Sequence, residues 1–125
     1  MIKNLSEKNI YVIDDEPDIL EAVKIILEDA GYSVKAAQYL ESVDEIIDFS
    51  PRLIILDALL NGQSGPDICI LFKKSAVLQN IPVLLLSALP ASKLKLMVTS
   101  CGAVGYLQKP FDLDTLTATV KKYLS

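Results

Sequence analysis

The chain has 125 residues, the size of one ordinary domain, so a second independently folded module is excluded and we expect residues 1–125 to form a single domain. Its 51% hydrophobic and 22% charged residues exclude a disordered chain. The net charge is −4 with no histidine, which argues against a direct nucleic-acid surface and excludes a histidine base or metal ligand.

Short apolar runs alternate five times with apolar residues at helical spacing. The runs predict strands at 9–13, 33–37, 52–56, 81–86 and 104–107. The helically spaced segments predict helices at 17–30, 41–49, 67–78, 91–100 and 113–124, the last capped by Asp112 and with Leu113 facing inward. The alternation indicates an α/β fold, a (βα)5 doubly wound, parallel five-stranded sheet with helices on both faces.

Polar side chains follow four of the predicted strands. Asp14 and Asp15 come after the first strand, Asp57 after the third, Ser87 after the fourth and Lys109 after the fifth. In a parallel sheet of this kind, ligands bind at the carboxyl ends of the strands, near the point where strand order reverses. We therefore expect these five side chains to share one site.

Three carboxylates at one edge require a positive partner, because two such charges 5 Å apart repel by roughly 3 kcal/mol at an effective dielectric near 20. Oxygen ligands alone favour Mg²⁺, or Mn²⁺, as the cofactor. Ionised Asp57 could then attack a phosphoryl group and form an aspartyl phosphate. Lys109 and Ser87 could donate to the oxygens of that group.

At these residues the chain resembles the receiver domain of two-component response regulators. The resemblance covers essentially the whole chain and is carried by the segments YVIDDEPDI, LIILDALLNGQSG, LLLSA and GYLQKPFDL. It implies a flavodoxin-like fold with strand order 2-1-3-4-5. It implies that Asp57 is the phosphoacceptor, that Asp15 binds the metal directly and that Asp14 acts mostly through water. It also implies that the backbone carbonyl of Leu59 completes the protein ligands.

The resemblance implies a switch and a set of partners as well. Ser87 would move toward the phosphoryl oxygens and Tyr106 would turn inward behind it, changing the surface of the fourth helix, fifth strand and fifth helix. An ordinary half-buried strand tyrosine is the alternative interpretation of Tyr106.

The donor would be a sensor histidine kinase or histidine phosphotransfer protein. The recipient would be an unidentified downstream protein or a fused output domain, and the switching surface allows a homodimer. The protein would be a self-phosphorylating acceptor and not a turnover enzyme.

The loop after Asp57 departs from the family pattern. Asn61 stands where the family most often has proline. Leu59 and Leu89 lie two residues past Asp57 and Ser87, positions at which family members tune the attack of water on the phosphoryl group. Two leucines predict restricted water access and a slower loss of the phosphoryl group.

Three other classes compete with this interpretation. A haloacid dehalogenase-type phosphohydrolase needs a second acid two residues after its nucleophile, and that position is Leu59. A flavodoxin-like flavin binder needs a Ser/Thr/Gly-rich phosphate loop after the first strand, where the chain has an acidic turn. A receiver-fold docking or dimerisation module that is never phosphorylated is the remaining alternative.

The cysteines and the amino-terminal residues indicate the cellular compartment in which the protein is expected. Cys69 and Cys101 are expected to be small buried thiols, with a disulfide as the alternative. The first ten residues lack the apolar core of a signal sequence, and the longest uncharged stretch is interrupted by two prolines. We therefore expect a cytoplasmic protein with no membrane span.

Overall fold

The computed structural model describes residues 8–124, and over that range strands and helices alternate as predicted. The strands of the main sheet are β1 (Asn9–Ile13), β2 (Ser33–Ala37), β3 (Leu53–Asp57), β4 (Val83–Ser87) and β5 (Gly105–Gln108). The helices are α1 (Pro17–Asp29), α2 (Val43–Phe49), α3 (Gly65–Lys73), α4 (Ala91–Cys101) and α5 (Leu113–Leu124). A small antiparallel hairpin, in which Leu59–Leu60 pairs with Gln63–Ser64, lies between β3 and α3.

All pairings in the main sheet are parallel, and the strand order is β2-β1-β3-β4-β5. This order confirms the predicted doubly wound fold. Strands β3 and β4 are buried along their whole length, as expected for strands that helices cover on both faces.

Alternate strand residues point to two separate hydrophobic clusters, because side chains along a strand face opposite sides. In β1, Ile10 and Val12 join the cluster that α1 and α5 cover, while Tyr11 and Ile13 join the one on the opposite face. The second cluster receives Ile46 of α2 together with residues of α3 and α4. The core thus holds the sheet rigid between two helical layers.

The helix ends follow local chemistry. Ser42 Oγ accepts from the Asp44 amide at the start of α2, and Asp112 Oδ1 accepts from the Thr115 amide at the start of α5, which confirms the predicted cap. Leu113, however, is 57% exposed, so the prediction that it faces inward was wrong. It is the first residue of α5 and lies outside the stripe that packs on the sheet.

Helix α3 is shorter than predicted. It ends at Lys73 instead of residue 78, because Ser75 Oγ accepts from the Leu78 amide and closes a turn. The Lys73 ammonium donates to the carbonyl oxygens of Gln79 and Ile81 and holds this turn against the helix. Leu78 is fully buried although it lies in a turn, and its position in the apolar pattern led to the prediction of one more helical turn.

The two cysteines are free and buried, which confirms the predicted reduced thiols. Cys69 Sγ on α3 donates to the carbonyl oxygen of Cys101 on α4 at 3.4 Å. Among the described helices, none has both the length and the apolar character that crossing a bilayer requires.

Candidate functional site

The strand register brings the predicted site residues to one edge of the sheet. Ile13 pairs with Leu56, so Asp14 and Asp57 follow side by side at the ends of β1 and β3. Ser87 ends β4 opposite Gln108, and Lys109 comes next in the chain. Asp14, Asp57 and Ser87 are the buried polar residues of the described chain, each at most 3% exposed.

The Lys109 ammonium joins three carboxylates. Its Nζ lies 2.7 Å from Asp14 Oδ2, 2.9 Å from Glu16 Oε1 and 3.1 Å from Asp57 Oδ2. Burial alone would lower the pKa of Lys109, but its close contacts with the carboxylates of Asp14, Glu16 and Asp57 outweigh burial and raise the pKa above its ordinary value. The lysine therefore stays charged at the centre of an acidic site.

Asp57 is held at both carboxylate oxygens. Oδ1 accepts from the Leu59 amide at 2.9 Å and Oδ2 accepts from Lys109 at 3.1 Å. Burial, followed by the charge of Asp14, raises the pKa of Asp57 to about 6, although the Leu59 amide and Lys109 oppose this rise. Asp57 is thus mainly ionised at neutral pH and oriented by two donors.

Carboxylate oxygens of four residues lie within 4.8 Å of one another: those of Asp14, Asp15, Glu16 and Asp57. Asp14 Oδ2 is buried and accepts no well-oriented hydrogen bond among the described residues, although Lys109 lies within ion-pair distance. One lysine cannot neutralise four carboxylates. An all-oxygen donor set with this excess of charge fits a hard divalent cation such as Mg²⁺ or Mn²⁺.

Glu16 was not among the predicted site residues. It lies in the acidic turn after β1, where its amide donates to Asp14 Oδ1 at 2.9 Å while its side chain reaches Lys109. The run of three acids at 14–16 was the available signal. Its meaning depended on the position of a lysine 93 residues away.

Gly65 is a second residue that the sequence prediction missed. It is buried at the start of α3, and its amide donates to the carbonyl oxygen of Ala58 at 3.1 Å. A Cβ at this position would collide with the backbone of Asp57 and Ala58. Gly65 therefore lets α3 begin directly behind Asp57.

The two predicted switch residues, Ser87 and Tyr106, lie on the paired strands β4 and β5. Ser87 Oγ accepts from the Leu89 amide at 3.0 Å. Tyr106 on β5 is half-buried and packs against the hydrophobic cluster that α3 and α4 cover. Leu59, whose carbonyl was the predicted metal ligand, exposes 57% of its surface at the rim of the site.

Comparison with known proteins agrees with this geometry. The response regulator receiver domain model matches residues 10–121. The DNA-binding dual master transcriptional regulator RpaA of Synechocystis is 36% identical over 92% of this chain and 48% of its own length. The phosphate regulon transcriptional regulatory protein PhoB of Pseudomonas aeruginosa is 34% identical over 94% of this chain and 52% of its own. The chain thus spans about half the length of these relatives.

Two solved structures share this fold over nearly their full length. The receiver domain of NtrX from Brucella abortus superposes with a TM-score of 0.82 at 31% identity, covering 92% of this chain and 97% of that one. Chemotaxis response regulator CheY4 of Vibrio cholerae superposes with a TM-score of 0.85 at 26% identity, with the same two coverages. The family match, the relatives and the shared fold lead to one conclusion: this chain belongs to the response regulator receiver domain family of two-component systems.

Proposed function

We propose that the chain is a phosphoacceptor and that Asp57 receives a phosphoryl group from a sensor histidine kinase or a histidine phosphotransfer protein. The observation that carries this proposal is the position of Asp57, buried at the end of β3 with Oδ2 3.1 Å from Lys109 and with three further carboxylates beside it. A buried, oriented carboxylate next to a fixed cation is suited to act as a nucleophile.

The transfer would form one bond and break one. A carboxylate oxygen of Asp57 attacks the phosphorus of the phosphohistidine, a P–O bond forms, and the P–N bond breaks with its electron pair remaining on the imidazole nitrogen. The Leu59 amide holds Asp57 Oδ1, which leaves the orientation of the carboxylate set before the donor arrives. Lys109 stabilises the negative charge that the new phosphoryl oxygens bring to the edge of the sheet.

The carboxylates of Asp14, Asp15 and Asp57, with the backbone carbonyl of Leu59, are the proposed ligands of a Mg²⁺ ion, and Mn²⁺ would suit the same donors. When bound, the ion would neutralise part of the negative charge on the incoming phosphoryl group. Lys109 brings one positive charge to this edge and lies within ion-pair distance of three carboxylates, those of Asp14, Glu16 and Asp57. Charge balance thus supports a site that requires a divalent cation for transfer.

The proposed switch starts at Ser87. Its hydroxyl accepts from the Leu89 amide in the unphosphorylated protein and would turn toward the phosphoryl oxygens, after which Tyr106 would move into the space behind it. The surface that changes would comprise α4, β5 and α5, and it would bind a downstream protein, a fused output domain or a second copy of the chain. Since the relatives RpaA and PhoB are named as transcriptional regulators, a DNA-binding output elsewhere in a longer protein fits this proposal.

We further propose that the chain acts in the cytoplasm as one domain, without turnover catalysis and without direct contact with nucleic acid or membrane. Two leucines beside the site support a long-lived phosphoryl group. Leu59, although 57% exposed, and the half-buried Leu89 lie two residues past Asp57 and Ser87, where they would limit the approach of water.

Intact-mass measurement after incubation with Mg²⁺ and acetyl phosphate or phosphoramidate tests the proposal. The wild type and the matched control Asp48→Asn, an exposed change on α2, should each gain one phosphoryl mass. Asp57→Asn, or removal of Mg²⁺ with a chelator, should abolish the gain. If the wild type gains no mass with any divalent metal, the phosphoacceptor proposal is wrong and the chain is a docking module.

A further inference from the structure

The hairpin that follows Asp57 is attached to the neighbouring loop by one side-chain amide. Gln63 Oε1 accepts from the Leu40 amide at 3.0 Å, and Gln63 Nε2 donates to the Leu40 carbonyl oxygen at 3.1 Å. Leu40 lies between β2 and α2, 23 residues from Gln63 in sequence. The amide thus satisfies both backbone groups of one residue, as a neighbouring strand would.

This hairpin carries two donors to the acidic site. The Leu59 amide donates to Asp57 Oδ1 at 2.9 Å, and the Asn61 amide donates to Asp15 Oδ2 at 3.0 Å. The second contact exists because residue 61 has a backbone N–H, which proline would lack. The hairpin therefore orients two of the proposed metal ligands.

The hairpin has one hydrophobic anchor beside these polar ones. Leu60 is 7% exposed and packs in the cluster that α2, α3 and α4 cover. Asn61 and Gly62 are exposed at the tip, and Gly62 has a φ of +80°. The return strand pairs with Leu59–Leu60, and the Gln63 amide adds a polar connection from it to the separate loop that contains Leu40.

We propose that Gln63 is a positioning residue for the metal and phosphoryl site: by clamping the hairpin to Leu40, it holds the Leu59 and Asn61 amides in place on Asp57 and Asp15. This inference rests on the proposed function, but its structural part concerns the metal-free protein. This role requires no contact of Gln63 with the phosphoryl group or with the metal. It acts through the backbone between residues 59 and 63.

Gln63→Met tests the proposal, because it keeps the side-chain length and removes both hydrogen bonds. Site-resolved amide hydrogen exchange in the metal-free protein should show faster exchange at Leu40, Leu59 and Asn61. Calorimetric titration should show Mg²⁺ binding weakened about three- to tenfold, the effect of losing about one net hydrogen bond. The Mg²⁺ concentration for half-maximal phosphorylation should rise by the same factor, with the rate at saturating Mg²⁺ little changed.

Gln79→Met is the matched control, since Gln79 is exposed in the turn before β4, at the opposite edge of the sheet. It should leave all three measurements at wild-type values. Faster exchange confined to Leu40, or unchanged Mg²⁺ affinity, would overturn the positioning role. If Gln63→Met fails to fold, Gln63→Asn, which is one methylene too short to make both bonds, replaces it. Failure of the wild type to accept a phosphoryl group would refute the proposed function alone, because the exchange and Mg²⁺ titrations do not depend on phosphorylation.

Discussion

Removing the charge of Asp57 should stabilise the metal-free protein at neutral pH. Burial and the neighbouring Asp14 raise the pKa of Asp57 from its ordinary value of 3.8 to about 6. The folded state therefore binds a proton more tightly than the unfolded state, and stability falls as pH rises from about 4 to about 6. At about 1.4 kcal/mol per pKa unit, keeping Asp57 ionised above pH 6 costs the fold about 3 kcal/mol.

Asp57→Asn removes that cost, so urea unfolding without metal should show it to be more stable than the wild type by up to about 3 kcal/mol at pH 8. Only about half of the advantage should remain at pH 5, where the wild-type carboxyl is largely protonated when folded. The exposed control Asp48→Asn should show no such pH dependence.

Adding Mg²⁺ should reduce the difference, because a cation that binds the folded wild type more tightly than folded Asp57→Asn stabilises the wild type by mass action; reversing the order requires a Mg²⁺ concentration of roughly 150 times the dissociation constant. An ionised Asp57 does not destabilise the fold if Asp57→Asn is less stable than the wild type at pH 8 without metal, or if the difference between the two proteins does not change between pH 5 and pH 8.

Three further predictions concern packing and charge around the site. Gly65→Ala should lower the free energy of unfolding by about 2–3 kcal/mol in urea, because the added methyl group collides with the end of β3; an unchanged unfolding midpoint would contradict that collision. Burial, with a smaller contribution from the neighbouring Cys101, raises the pKa of Cys69 to about 12, and both cysteines are buried. An aromatic disulfide reagent at pH 8 should therefore modify neither cysteine in the folded protein and both cysteines in the unfolded protein. Rapid modification of the native protein would show that α3 and α4 separate readily. Glu16→Gln should change the stability by less than about 1 kcal/mol, because the Glu16 carboxylate that meets Lys109 is 60% exposed. A larger loss in thermal or urea unfolding would mean that this ion pair is shielded from solvent.

The apolar pattern was sufficient to predict the order and type of the five main strands and the five helices, but not the small hairpin at 59–64. Fully apolar runs such as residues 53–56 are typical of strands covered on both faces, and Pro17 and Gly31 marked the ends of α1. The same pattern failed at the end of α3, because it reports burial and not backbone geometry. Leu78 is buried from a turn that Ser75 and Lys73 stabilise, and a hydrophobicity pattern does not distinguish that turn from helix.

The sequence by itself determined which chemical groups reach the carboxyl edge of the sheet, since Asp14, Asp57, Ser87 and Lys109 each follow a predicted strand and parallel strands end together. Only the tertiary structure decided which of those groups contact one another and which loops hold them. That Lys109 contacts three carboxylates including Glu16, and that Gln63 pairs with Leu40, depends on distances between residues 23 to 93 positions apart. Periodicity encodes which face a residue takes within its own element, whereas these contacts depend on how separate loops approach one another once the core has packed.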